Sequence, residues 1–284
     1  MTTRLQGPTG LARRARRLSD QETGERMLAA ALATVNRDGL TVSLEHISFE
    51  DVIRDADVSR SSAYRRWPHK DLFLSDLVRE LAAGPTPGIV ADELDMIRQI
   101  AAGRLDRLDT PEQRQGLVME LFRQLAVLDF RSLYESPAWR TYVALHATFL
   151  SLADGDLRDQ VRAALADSER TRIAAVATAW NRMARLFGFR LRPELGSSFE
   201  ALAAVLSGCL RGLVVLALSM PDLAEHTTRA QPAGATEPGE WSLAGLGLAG
   251  VASSFLEPDP DVRWNARRVQ RLRAALAEPS VLAR

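Results

Sequence analysis

Residues 58–70 hold the side chains best suited to bind an anion. They include Arg60, Arg65, Arg66 and Lys70 and contain no Asp or Glu. Guanidinium and ammonium groups bind phosphate through charge-assisted hydrogen bonds, and serine and tyrosine hydroxyls can add further donors. The formal net charge of the chain is zero. Only local segregation of charge would therefore present a positive surface to a polyanion.

Two short helices joined by a tight turn are predicted to position these side chains. Ser48 can cap the first helix, and Ser59 can cap a second helix that ends at Trp67. Asp57 is expected in the turn, because aspartate tolerates a left-handed backbone better than most residues other than glycine. The spacing therefore predicts a helix-turn-helix over residues 48–67. Its predicted core side chains are Val58, Ala63 and Trp67, and the opposite side carries Arg60, Ser61, Ser62, Tyr64 and Arg65.

The same segment also fits an amphipathic helix pair whose arginines meet only solvent. Three features favour anion binding instead. A hydroxyl-rich helix start leaves room for close approach to a backbone, and Trp67-Pro68 ends the second helix sharply. Lys70 falls in the first turn of the next helix, where the helix dipole disfavours a cation unless it meets an anion.

This region resembles the TetR family of bacterial transcription regulators. In that family a Val-Ser pair starts the recognition helix, a tyrosine lies in its middle, and an aromatic-Pro-x-Lys segment leads into the fourth helix. Val58-Ser59, Tyr64 and Trp67-Pro68-His69-Lys70 match these features in order and spacing, and the similarity covers about residues 20–80.

The resemblance implies a three-helix DNA-binding domain followed by a helical domain for effector binding and dimerisation. It implies that Tyr64 and Lys70 contact phosphates, while the side chains near them lie at or near base edges. Asp57 and Ser61 stand where the family commonly has glycine. DNA contacts are thus expected from Ser59, Arg60, Ser61, Ser62, Tyr64, Arg65 and Lys70, with phosphate contacts from Arg13, Arg14, Arg16 and Arg17.

Helical periodicity predicts an all-α fold, because apolar residues recur at spacings of three and four. Only Leu40 to Leu44 alternates as a strand would. We expect a flexible basic arm at 1–19, which either reaches the minor groove or is disordered. A DNA-binding domain at 20–83 and an effector and dimerisation domain at 89–284 follow. Further helices are expected near 89–106, 111–134, 137–152, 156–188, 193–220, 239–256 and 259–278, with an exposed loop at 225–239.

One predicted helix carries four ring-bearing side chains on a single face: Trp139, Tyr142, His146 and Phe149. They form either an aromatic core stripe or the wall of a ligand pocket, since a core rarely needs a Tyr and a His together. Trp180 and Phe187 are expected on the facing side. The effector predicted from this wall is a largely apolar or aromatic small molecule. Arg211 is either too close to the dimer helices to serve or binds an acidic group of the ligand.

The predicted helices at 193–220 and 239–256 are more apolar than a solvent-facing helix can be. Two from each subunit would form a four-helix bundle, so the sequence predicts a homodimer. The stretch Ala201 to Met220 could also pass for a membrane span. Arg211 in its middle would cost roughly 2.5–3.5 kcal/mol there, and no second such stretch accompanies it. We therefore expect no membrane segment.

Catalytic and metal-binding motifs are absent from the sequence. The single Cys209 cannot form an internal disulfide, and the four histidines show no HExxH spacing. Gly245-x-Gly247-x-x-Gly250 matches the dinucleotide fingerprint, but without a predicted strand before it we interpret it as close helix packing. We expect a cytoplasmic regulator without cofactor, metal or enzymatic activity. The alternative is an all-helical small-molecule-binding protein or enzyme in which residues 48–67 are only scaffold.

Overall fold

The computed structural model describes residues 18–39, 47–83, 91–105, 108–152 and 154–277, and these are largely α-helical. The prediction of an all-α fold is confirmed. The chain divides into two compact units after Glu80. The boundary predicted at residues 84–88 lies outside the described residues, as do the arm arginines and the alternating stretch Leu40 to Leu44.

The first unit contains the predicted helix-turn-helix. The side chain of Ser48 accepts a hydrogen bond from the Asp51 amide, and that of Ser59 accepts one from the Ser62 amide, so both predicted N-caps are confirmed. Asp57 has a φ of +52°, which confirms the predicted left-handed turn. The helices of this part of the chain are α1 Asp20–Asp38, α2 Phe49–Asp55, α3 Arg60–Arg66 and α4 Lys70–Ala83.

The core of this unit fixes the rotation of α3. Ala63 is fully buried and Trp67 is 2% exposed, and Val58 is buried beside them, as predicted. The Trp67 ring packs edge-on against Phe73 at 5.1 Å and against Phe49 at 6.4 Å between ring centroids. Helix α3 has only seven residues and would be unstable alone. Its orientation therefore depends on these contacts.

The second unit is a helical assembly with a core between α6, α8, α9 and α11. Gly247 of α11 lets this helix approach α9 closely, since a Cβ atom there would lie 2.8 Å from the Cys209 sulfur. The helices are α5 Ala91–Ala102, α6 Pro111–Glu135, α7 Pro137–Ser151, α8 Asp156–Phe187, α9 Phe199–Ser219, α10 Asp222–Glu225, α11 Leu243–Phe255 and α12 Ala266–Ala277.

Two small antiparallel ribbons of three or four residues per strand accompany the helices and were not predicted from the sequence. Strands β1 Phe189–Leu191 and β4 Leu256–Pro258 form one, and β2 Thr227–Ala230 and β3 Gly239–Ser242 form the other. The prediction of a loop at 225–239 is therefore wrong at β2. This strand has only four residues and contributes no large apolar side chain that would have marked it in the sequence. The ribbon is anchored instead by Trp241 on β3, which is 2% exposed.

Three helices begin later than the sequence predicts. Pro193–Leu195 forms a 3-10 turn that ends at Gly196, so α9 starts only after its cap Ser198. Helix α11 follows strand β3, which occupies the first four residues of the predicted 239–256 helix. The prediction that no strand precedes the glycine run is thus wrong, although β3 pairs antiparallel and not in a parallel βαβ unit. Helix α12 begins after Asn265, whose side chain caps the Arg268 amide.

The left-handed turn generates a stability prediction. Asp57→Val should destabilise the protein by about 1–2 kcal/mol, because a β-branched residue is strained at positive φ. Asp57→Gly should be neutral or stabilising, because glycine adopts this backbone without strain. Urea unfolding measures both free energies. At Asp55, the last residue of right-handed α2, glycine should instead destabilise slightly, by roughly 0.3 kcal/mol. Equal losses of unfolding free energy from Asp57→Gly and Asp57→Val would contradict the left-handed backbone assigned to Asp57.

Candidate nucleic-acid interface and effector site

Four polar side chains of α3 point to solvent and are named here the α3 surface: Arg60, Ser61, Tyr64 and Arg65. All four are exposed, and Tyr64 has 44% of its surface accessible. They come from successive turns on the side opposite Ala63 and Trp67. The burial of those two residues therefore determines which side chains can meet a ligand.

Ser62 is a correction to the predicted surface. It is 8% exposed, and its Oγ accepts a hydrogen bond from the Ser59 hydroxyl at 2.9 Å. The prediction that Ser62 is displayed beside Arg60 is wrong. Ser62 is the third residue of α3, and its side chain points towards the protein interior next to the N-cap Ser59. Ser59 Oγ also lies 3.1 Å from Ser61 Oγ. The Ser59 hydroxyl thus caps the N-terminus of α3 and contacts the serines of its first turn.

Glu50 of α2 holds two side chains of the α3 surface. Its carboxylate accepts a hydrogen bond from the Tyr64 hydroxyl at 2.8 Å and forms an ion pair with Arg60 at 2.9 Å. The hydrogen bond to Glu50, followed by desolvation, raises the pKa of Tyr64 above its ordinary value. Glu50 is thus an acid of α2 that pairs with an arginine of α3.

Arg66 is basic, but its side chain makes its contacts within the protein. Its guanidinium pairs with Asp20 of α1 at 2.6 Å and lies over the Trp67 ring at 5.0 Å. A Cβ atom at Gly24 would meet this guanidinium at 2.9 Å, so glycine makes the contact possible. Arg66 therefore joins α1 to α3. Lys70 begins α4, in the first-turn position that was predicted for it.

In the second unit, Glu169 of α8 joins three helices. It accepts hydrogen bonds from the Tyr142 hydroxyl of α7 and from Arg211 Nη1 of α9, the latter at 2.7 Å. His146 Nε2 lies 3.7 Å from the same carboxylate oxygen. The Arg172 guanidinium lies 4.6 Å above the centre of the Tyr142 ring. These five residues are named here the Glu169 cluster.

Glu169 and Tyr142 have defined protonation states at neutral pH. Burial acts to raise the pKa of Glu169, but its polar contacts with His146, Tyr142 and Arg211 outweigh burial and hold that pKa well below its usual range. Burial, followed by the hydrogen bond to Glu169, raises the pKa of Tyr142 to about 12. The pair is therefore a carboxylate and a neutral phenol.

The other predicted effector residues separate into different surroundings. Trp139 and Phe187 are 1% and 2% exposed and belong to the apolar core. Trp180 stacks on Phe122 of α6 with ring centroids 4.9 Å apart. Phe149 is half-buried, with the Arg158 guanidinium 5.4 Å from its ring. Of the predicted stripe, Tyr142 and His146 are thus the two side chains that lie beside the Glu169 carboxylate.

Sequence reasoning missed Glu169 and Arg172. Both continue the apolar stripe of α8 that begins with Val161 and Leu165, at spacings of four and three residues. A charged residue at such a core position signals a buried polar contact, and this was the available clue. Arg211 was noted but left without a partner, which the structure identifies as Glu169.

Helix α9 leaves an apolar face uncovered within the single chain. Val205, Val215 and Leu216 are each 44–49% exposed. A Cβ atom at Gly208 or Gly212 would have no neighbour within 4 Å. By length and composition α9 could cross a membrane, and only 28% of its most apolar 18-residue window is buried. It is the one helix of that kind in the part of the chain that the structure describes.

Metal-binding side chains do not converge in the described ranges, where no group of three or more His, Cys, Asp or Glu could hold an ion. No protein-family model and no curated protein matches the chain. The chain is similar to a solved structure titled "SmeT-Triclosan complex". The alignment covers 86% of this chain and 96% of the other, with 19% sequence identity and a TM-score of 0.42. Because both similarity values are low, the function proposed below rests on the side chains of this chain.

The Glu169 cluster generates a pH-dependent stability prediction. Glu169→Gln should lower the free energy of unfolding by about 1–3 kcal/mol at pH 7, because Arg211 and Tyr142 lose a charged acceptor. A carboxylate with a depressed folded pKa stabilises above its unfolded pKa of about 4.3 and loses this effect as pH falls through the folded value. The gap between variant and wild type should therefore shrink below about pH 4.

Denaturant unfolding from pH 3 to 8 measures this gap. Glu135→Gln, at an exposed glutamate of α6, is the matched control and should follow the wild-type profile. A gap that stays constant down to pH 3 would contradict the charged state assigned to Glu169.

Proposed function

We propose that this chain is a ligand-responsive, DNA-binding transcription regulator of the TetR type. The single observation that carries the proposal is the α3 surface. It displays two arginines and a tyrosine on the exposed side of a capped helix-turn-helix. Arginine can bind the O6 and N7 atoms of guanine with two hydrogen bonds in the major groove, which an α-helix can enter.

The pairing of Arg60 and Tyr64 with Glu50 is compatible with DNA binding. Exposed ion pairs contribute about 0–1 kcal/mol, so phosphate or guanine can replace Glu50 at little cost. Glu50 also lowers the attraction of this surface for any polyanion.

Phosphate contacts are assigned to Tyr64 and Lys70 from the family resemblance, together with the arm arginines Arg13, Arg14, Arg16 and Arg17. Arg60, Ser61 and Arg65 are assigned to the base edges. Ser59 and Ser62 stabilise the start of α3 through their hydroxyl groups and are not assigned a base contact.

We propose a homodimer through α9 and α11, argued from the uncovered apolar face of α9. The exposed valines and leucine of α9 supply apolar area, and Gly208 and Gly212 allow a second helix to approach closely. Two recognition helices related by a two-fold axis would match a palindromic operator.

An effector site is proposed beside Tyr142 and His146, where the half-exposed His146 and the Glu169 carboxylate give polar anchors next to aromatic side chains. A ligand that favours a different spacing of the recognition helices weakens DNA binding by the coupling free energy, typically 1–3 kcal/mol. We therefore propose a cytoplasmic repressor that a small molecule releases from DNA.

DNA binding is tested by fluorescence anisotropy with fragments of the protein's own promoter region. Lys70→Ala should weaken binding to all sequences alike and flatten the salt dependence by about one unit. Arg60→Ala should instead change the sequence preference by about 1–3 kcal/mol at the base it contacts. Glu50→Gln should tighten binding to all sequences by up to about fivefold, because Arg60 and Tyr64 lose their competitor.

Arg79→Ala is the control, because it removes an exposed, acid-paired arginine of the same unit from α4. It should leave sequence preference unchanged. Tight binding that survives the triple change Lys70→Ala, Tyr64→Ala and Arg60→Ala would refute the proposal and favour a small-molecule-binding protein with a helix-turn-helix scaffold.

The dimer is tested by sedimentation velocity at micromolar concentration. The wild type should sediment at twice the chain mass of 31.2 kDa. Leu216→Glu should give a folded monomer, because a charge would lie in the apolar face. Leu195→Glu changes an equally exposed leucine outside α9 (46% exposed) and should leave the dimer intact. A wild-type monomer would disprove this part of the proposal.

A further inference from the structure

A basic cleft separates the C-terminal part of α8 from α12. Its volume is about 460 Å³, and none of its lining residues is acidic. Arg182 and Arg185 of α8 and Arg268 and Arg271 of α12 line it, with Leu186 and Leu272 between them. Four guanidinium groups and two leucines thus face one space.

Arg268 is held in place at the centre of this cleft. Its Nη2 donates to the backbone carbonyl of Arg185 at 2.6 Å, and its guanidinium lies 5.6 Å from the centre of the Trp264 ring. Its Nε is buried and has no hydrogen-bond partner in the described part of the chain. The Asn181 side chain accepts a hydrogen bond from Arg185 Nε at 3.0 Å. Arg185 and Arg268 are therefore positioned by the protein before any ligand binds.

Charge is unbalanced at this place. Burial lowers the pKa of Arg268, the positive charge of Arg271 lowers it further, and Asp259 offsets only part of the shift. Helix α12 carries four arginines and no Asp or Glu. An anion in the cleft would relieve the repulsion between the guanidinium groups.

We propose that this cleft binds a small organic anion, with a phosphate or carboxylate group joined to an apolar part. Arginine forks match the oxygen geometry of both anions, and the two leucines can cover the apolar part. The volume falls in the range of about 300–1,000 Å³ that is usual for small-molecule sites.

The cleft is distinct from the proposed effector site. Arg182 follows Glu169 by thirteen residues on one helix, which corresponds to about 20 Å at 1.5 Å per residue. The inference therefore does not depend on DNA binding or on an effector beside Tyr142.

Isothermal titration of the full chain in phosphate-free buffer tests the proposal with phenyl phosphate, benzoate, inorganic phosphate and phenol. Phenyl phosphate should bind about tenfold more tightly than inorganic phosphate, because its ring buries apolar surface against the leucines. Benzoate reports on carboxylates, and phenol, which lacks the anion, should not bind. Arg268→Gln with Arg271→Gln should weaken phenyl phosphate binding by about 10- to 100-fold.

Arg263→Gln with Arg267→Gln is the control, because it removes the same charge from exposed positions outside the cleft. It should change binding less than about twofold. If the double variant in the cleft fails to fold, the exposed Arg271→Gln alone should still weaken binding. The proposal is overturned if neither phenyl phosphate nor benzoate binds at millimolar concentration. It is overturned as well if the two double variants lose equal affinity for phenyl phosphate. It is also overturned if the cleft arginines affect binding of DNA but not of phenyl phosphate.

Discussion

The burial of Trp67 is the contact on which the candidate DNA-binding surface depends. Its indole Nε1 donates to Asp76 of α4 at 2.9 Å, while its ring fills the space between α2, α3 and α4. Because α3 has only seven residues, this one side chain fixes its rotation about the helix axis. Each side chain that could reach DNA is exposed as a consequence. Arg66 packs against the outer side of the same ring and links it to α1.

In the second unit, the polar contacts of Glu169 connect α7, α8 and α9. A carboxylate taken out of water is costly unless it is paired and fully hydrogen-bonded. Glu169 is paired with groups on α7 and α9 at once, through one of its carboxylate oxygens. Replacing such a contact by apolar residues is often neutral, whereas removing one partner alone is destabilising. A ligand that inserts polar groups here would compete with contacts that hold three helices together.

The sequence predicted the parts that local chemistry determines. Ser48, Asp57 and Ser59 act through their own backbone neighbours, so their residue types were sufficient to place two helices and the turn. The β2–β3 ribbon could not be found in this way, because β2 owes its place to Trp241 on the partner strand. Ser62 was misassigned for a related reason. Serine is compatible with either side of a helix, and the rotation that buries Ala63 and Trp67 turns Ser62 inward, where its Oγ meets the Ser59 hydroxyl.

A zero net charge is compatible with a locally positive surface, because screening in salt limits the reach of each charge. The Debye length is about 8 Å at physiological ionic strength. An anion at α3 therefore responds mainly to Arg60, Arg65 and Glu50, and an anion at α12 responds mainly to Arg268 and its neighbours. Some acids are also paired locally, as Asp51 is with Arg54. Local acid content, and not the overall balance, decides where this chain can attract an anion.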